Sequence, residues 1–102
     1  MRIEHYLSET LKIEILQIFR RYLDLTNYKI FFFGSRVNGK GNERSDIDVG
    51  IIGPDKISAS TFFKVEEEIS ELPVLYKIDL VDFKTVPEEF KEIALKNVEY
   101  LN

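Results

Sequence analysis

The chain has 102 residues, a net charge of −4 and no cysteine. This length fits one domain, residues 1–102, with a single core. Lacking cysteine, it has neither disulfides nor thiolate metal sites, which is compatible with a reducing cytoplasm. Its one histidine, His5, leaves no His-based metal centre or catalytic triad. No apolar run approaches the roughly 20 residues that span a bilayer, and the N-terminus lacks the form of a secretion signal. The acidic balance argues against a broad nucleic-acid footprint, while leaving room for a nucleotide whose charge is met locally.

Met1 to Leu7 reads as a lead-in, and Ser8 is a candidate N-cap. Leu11, Ile15, Ile18, Phe19 and Tyr22 recur at helical spacing, which predicts a helix over about 8–24. Arg20 and Arg21 read as solvated charges. After a turn at Thr26-Asn27, the apolar, aromatic run Tyr28 to Phe33 predicts a strand buried on both faces. A polar loop, Gly39 to Arg44, leads to a second strand that alternates from Ser45 to Ile52 and closes at Gly53-Pro54.

Ser58 or Ser60 can cap the next helix. Phe62, Val65, Ile69 and Leu72 mark its buried face, Glu66 to Glu68 its solvated one, and Pro73 its end. The third strand is read from Leu75 to Phe83. Thr85-Val86-Pro87-Glu88 has the form of a capping box. Phe90, Ile93, Ala94, Asn97 and Leu101 then mark a last helix that either closes the core or docks a partner.

Two ends of one stretch carry candidate chemistry. At Gly34 the missing Cβ permits a tight turn and close approach of a ligand to the main chain. Ser35 suits the cap of a helical turn whose free N–H groups attract phosphate. Taken alone, Gly-Ser is also what an ordinary turn looks like. At the other end Ile47, Val49 and Ile51 share one strand face, and Asp46, Asp48 and Gly50 share the other. Carboxylates two apart on a strand lie about 6.5–7 Å apart at Cα and repel unless a cation sits between them. Hard cations such as Mg²⁺ take such oxygens together with substrate phosphates. A solvated strand end is the bland alternative, but aspartate is depleted in strands. Asp79, in mid-strand between Ile78 and Leu80, needs a partner or a wet site. Asp82 reads as a strand-end residue in contact with solvent.

Gly34, Ser35, Arg36, Gly39, Ser45, Asp46 and Asp48 together resemble the minimal nucleotidyltransferases (MNT proteins) of the DNA-polymerase-β-like superfamily. The order of elements matches over most of the chain. The resemblance implies an α/β (α+β) nucleotidyltransferase fold, a small mixed sheet with flanking helices. It implies that Asp46, Asp48 and Asp79, rather than Asp82, are catalytic and hold two Mg²⁺ ions. It also implies that Gly34, Ser35, Arg36 and Ser45 bind the nucleotide. Lys40 and Arg44 could reach its triphosphate or be surface charges.

The implied reaction transfers AMP from ATP to a hydroxyl, here a tyrosine on a helical HEPN-type toxin that this chain counters as antitoxin. A non-catalytic module that neutralises a helical partner by binding is the alternative. Self-association is left open.

Overall fold

A computed structural model describes residues 8–34, 46–74 and 76–102. Among these residues three helices and four strands follow one another as α1 (Ser8–Arg20), β1 (Lys29–Phe33), β2 (Ile47–Ile52), α2 (Ala59–Ser70), β3 (Ile78–Asp82), α3 (Glu88–Ala94) and β4 (Glu99–Tyr100). The sheet order is β3-β2-β1-β4. β2 and β4 each run antiparallel to β1, and β3 runs parallel to β2. The mixed α+β sheet matches the expectation. Among the described residues no helix is long and apolar enough to cross a membrane.

Side-chain alternation divides the sheet into two unlike faces. Ile30, Phe32, Ile47, Val49 and Ile51 join Leu11, Ile15, Ile18 and Phe19 of α1 and Val65 and Ile69 of α2 in the main core. The opposite face carries Phe31 and Phe33, packed with Phe83 and flanked by Ala94, Leu95 and Val98. Ring centroids of Phe31 and Phe83 lie 5.0 Å apart, and those of Phe33 and Phe83 5.2 Å, both edge to face. Gly50 pairs with Phe31 across the ladder. A Cβ at Gly50 would stand 2.4 Å from the Phe31 ring, so the ring occupies the space a side chain would take.

α1 stops sooner than expected. Arg21 and Tyr22 donate backbone bonds three residues back, to Ile18 and Phe19, and this tightens the last turn. Asp24 then organises the turn through Thr26 N–H, Thr26 Oγ1 and Asn27 Nδ2. The two bonds from Thr26, the hydroxyl first and then the N–H, lower the Asp24 pKa. Arg21 and Glu68 are not simply solvated: Glu68 accepts from both Arg21 and Tyr22, joining α2 to the end of α1. Ser58 caps α2 by accepting from Thr61 N–H at 3.2 Å.

The C-terminal third departs further. The Thr85 hydroxyl donates to the Asp82 carbonyl at 2.8 Å, and the residue that caps α3 is Pro87, without a side-chain bond. The expected capping box therefore does not form. α3 ends at Ala94, and Leu101 lies beyond β4 rather than in a helix. Leu101 N–H donates to Ile30 O, and Asn102 Oδ1 accepts from Ile30 N–H, extending the pairing along β1.

Asp82 is the sharpest correction. It is 7% exposed, not a solvent-facing strand end. Its Oδ2 accepts from Ile57 N–H at 2.9 Å and its Oδ1 from Lys84 N–H at 3.0 Å. One carboxylate thus fixes both the approach to α2 and the exit of β3. Asp82→Ala would leave two N–H groups without their acceptor. It is expected to lower unfolding free energy by about 2–3 kcal/mol, read as a reduced urea midpoint at unchanged slope.

Candidate active site

The ladder registers bring Gly34, Asp48 and Asp79 to one place. Phe33 at the end of β1 pairs with Asp48 of β2, and Asp48 pairs with Asp79 of β3. Neighbouring strands lie about 4.8 Å apart, so the two aspartates are immediate neighbours on the face shared with Gly50 and Phe31. Asp46 precedes β2 by one residue and is exposed. Asp79 is partly exposed and also pairs with Lys77 Nζ at 3.4 Å.

Gly34 has φ +89°, a left-handed conformation that glycine adopts without strain. A Cβ there would fall 2.3 Å from Asp48 Oδ2. The turn after β1 therefore sets bare main chain against the Asp48 carboxylate, for two independent reasons: backbone angle and space.

Asp48 is half-buried, and its pKa is raised. Burial is the largest cause, followed by the charge of Asp79 and then that of Asp46. Asp48 thus feels the charge of both other expected carboxylates. Among the described residues, no three His, Asp or Glu side chains form a group drawn together tightly enough to hold a metal ion. The donor chemistry suits a hard divalent cation: the donors are all oxygen, and like charges stand side by side. Ser35, Arg36 and Ser45, with Lys40 and Arg44 between them, lie outside the described residues.

Beside the carboxylates opens a cavity of about 310 Å³ lined by Phe33, Gly34, Asp48, Phe90, Ile93, Ala94 and Asn97. The sequence marked the last four only as one face of a helix. Asn97 in fact follows α3, and the residues wall the site. A larger hollow of about 550 Å³ lies by Lys56, Phe62 and Asp82, but both Asp82 oxygens there are bonded to backbone N–H groups. Chemistry, not size, marks the first cavity as the candidate.

Because protonation relieves both burial and repulsion, the folded chain holds the Asp48 proton to higher pH than the unfolded chain does. Stability from this group therefore falls as pH rises from the unfolded carboxylate range through the raised native value. Asp48→Asn keeps the shape and removes the charge. Without divalent cation it is expected to melt above the parent at pH 7. The gap should close as pH is lowered toward the ordinary aspartate value of 3.8, as followed by thermal melts across pH.

Comparison with known proteins bears on the fold and the family. A family model described as polymerase beta, nucleotidyltransferase matches residues 2–101. The probable protein adenylyltransferase MntA of Haemophilus influenzae is 34% identical over 88 residues, which span 84% of this chain and 77% of that protein. A toxin–antitoxin crystal structure with AMP-PNP superposes with a TM-score of 0.70 at 23% identity, over 94% of this chain and 73% of that one. A Shewanella oneidensis complex of MNT antitoxin with tri-AMPylated HEPN toxin gives 0.67 at 19% identity, over 92% and 71%. At these identities the solved structures speak to fold, whereas the family model and the MntA relative speak to descent. This chain belongs to the polymerase-β nucleotidyltransferase family.

Proposed function

We propose that this chain is a Mg²⁺-dependent protein adenylyltransferase that moves AMP from ATP onto a tyrosine hydroxyl of a HEPN-type toxin, and so acts as its antitoxin. The observation that carries the reading is the in-register pair Asp48 and Asp79 beside the bare main chain of Gly34. The kinship with MntA and the fold shared with MNT–HEPN complexes support the choice of nucleotide and partner.

In this reading the acceptor oxygen bonds to the α-phosphorus, the bond to the bridging oxygen of the β-phosphate breaks, and pyrophosphate leaves. Asp79, on the outer strand, takes the hydroxyl proton and orients the attacking oxygen. Asp48, held between Gly34 and Asp79, sets the geometry around the α-phosphate. Gly34 lets phosphate oxygens approach the chain, with Ser35, Arg36 and Ser45 assigned to the same tail from their place in the sequence. Asp46, Asp48 and Asp79 would hold two Mg²⁺ ions, which when bound neutralise charge on the phosphates and lower the pKa of the acceptor hydroxyl.

Purified chain, partner toxin, labelled ATP and Mg²⁺ test the reading directly. Label is expected to pass to the toxin, with loss of about 10²-fold or more in Asp48→Asn and in Asp79→Asn, the scale of removing one group from a charge-stabilising site. Toxin inhibition that survives Asp48→Asn, with no label transferred at any time, would instead assign a binding module. Mg²⁺ with ATP is also expected to raise the melting temperature of the parent more than that of Asp48→Asn.

A further inference from the structure

Resting on the nucleotidyltransferase reading, we infer that the cavity between β1 and α3 is the seat of the nucleobase, with Phe90 as its stacking wall and Asn97 as its hydrogen-bonding edge. The cavity is continuous with the carboxylates, because Gly34 and Asp48 line it together with Phe33, Phe90, Ile93, Ala94 and Asn97. Its volume, about 310 Å³, lies at the small end of the range for small-ligand sites. A flat, largely apolar group with one polar edge is what such a lining accepts.

The walls are unusual for surface side chains. Phe90 is 41% exposed and Ile93 69% exposed. Phe90 is nonetheless held in place, with its ring 6.1 Å from Phe33 and 5.8 Å from Phe83. A ring fixed on one side and open on the other is a platform for stacking. Asn97 is exposed, and its amide bonds to no other described residue. It offers an acceptor and two donors, which match the paired donor and acceptor of adenine's outer edge.

Charge decides which end of the nucleotide faces this wall. α3 carries Glu88 and Glu89 in its first turn, and Glu92 follows, against Lys91 alone within the helix. Among the described residues of the lining, Asp48 is the single charged one. An anionic triphosphate is disfavoured there, whereas an uncharged base is not. The acceptor belongs on the other flank, since Asp79 lies across Asp48 from β1 in the sheet order. Base, α-phosphate and acceptor would thus follow one another from α3 through Asp48 to β3.

The test uses calorimetric titration of the whole chain with ATP, GTP and inorganic tripolyphosphate in Mg²⁺, beside the label-transfer assay. The parent is expected to bind ATP at least about tenfold more tightly than tripolyphosphate. Phe90→Ala should weaken ATP about tenfold and leave tripolyphosphate unchanged. Asn97→Ala, at an exposed position outside the core, should narrow the preference for ATP over GTP by about tenfold. Asn97→Ala guards against a folding artefact in Phe90→Ala.

If label transfer proceeds but neither variant alters nucleotide affinity or choice, the inference is overturned while the transferase reading stands. A changed KM for the toxin alone would overturn it equally, moving the cavity to the acceptor. If the parent neither binds ATP nor transfers label, both readings fall together.

Discussion

Everything at this site depends on a repulsion built into strand register. Parallel pairing of β2 with β3 sets Asp48 directly opposite Asp79, and antiparallel pairing with β1 brings the same Asp48 against the Gly34 turn. Like charges in direct cross-strand opposition destabilise a sheet. Partial burial of Asp48 adds to the cost. Register cannot slip to relieve the strain, since a shift of one residue would exchange the core face for the site face. The chain therefore keeps its unfavourable pair because its favourable contacts leave it no other alignment.

Those favourable contacts lie mostly on the far side of the sheet. Ile47, Val49 and Ile51, whose neighbours in sequence form the site, pack into the core shared by α1 and α2. The near side is stabilised differently, by the aromatic slab of Phe31, Phe33 and Phe83, with Phe90 beside it. Gly50 is the local condition for that arrangement, since the Phe31 ring occupies the room its side chain would need.

Much of this was legible in the residues. Alternation alone assigned Ile47, Val49 and Ile51 to one face and Asp48 and Gly50 to the other, and the buried reading of β1 follows from its continuous apolar run. The Gly34 turn could be read from its missing Cβ at the end of an apolar run, whereas the pairing of Asp79 with the Asp-x-Asp segment could be expected only by likeness to a family, because register between distant strands is not written in local periodicity. β4 escaped notice because two residues show no period, and the apolar spacing from Phe90 to Leu101 mimics a helix. Asp82 was misjudged because its acceptors' partners, Ile57 and Lys84 N–H, are main-chain groups with no sequence signature. Phe90 and Asn97 were visible as a face, but nothing local said that the face looks onto Asp48.

β3 stands at one margin of the sheet, with β2 as its only strand neighbour among the described residues. Asp48 is carried on an inner strand laddered on both sides, while Asp79 rides on a strand laddered on one. A small slide of β3 disturbs one set of backbone bonds, and the same slide of β2 would disturb two. The carboxylate pair accordingly has one jaw clamped from two sides and one clamped from a single side.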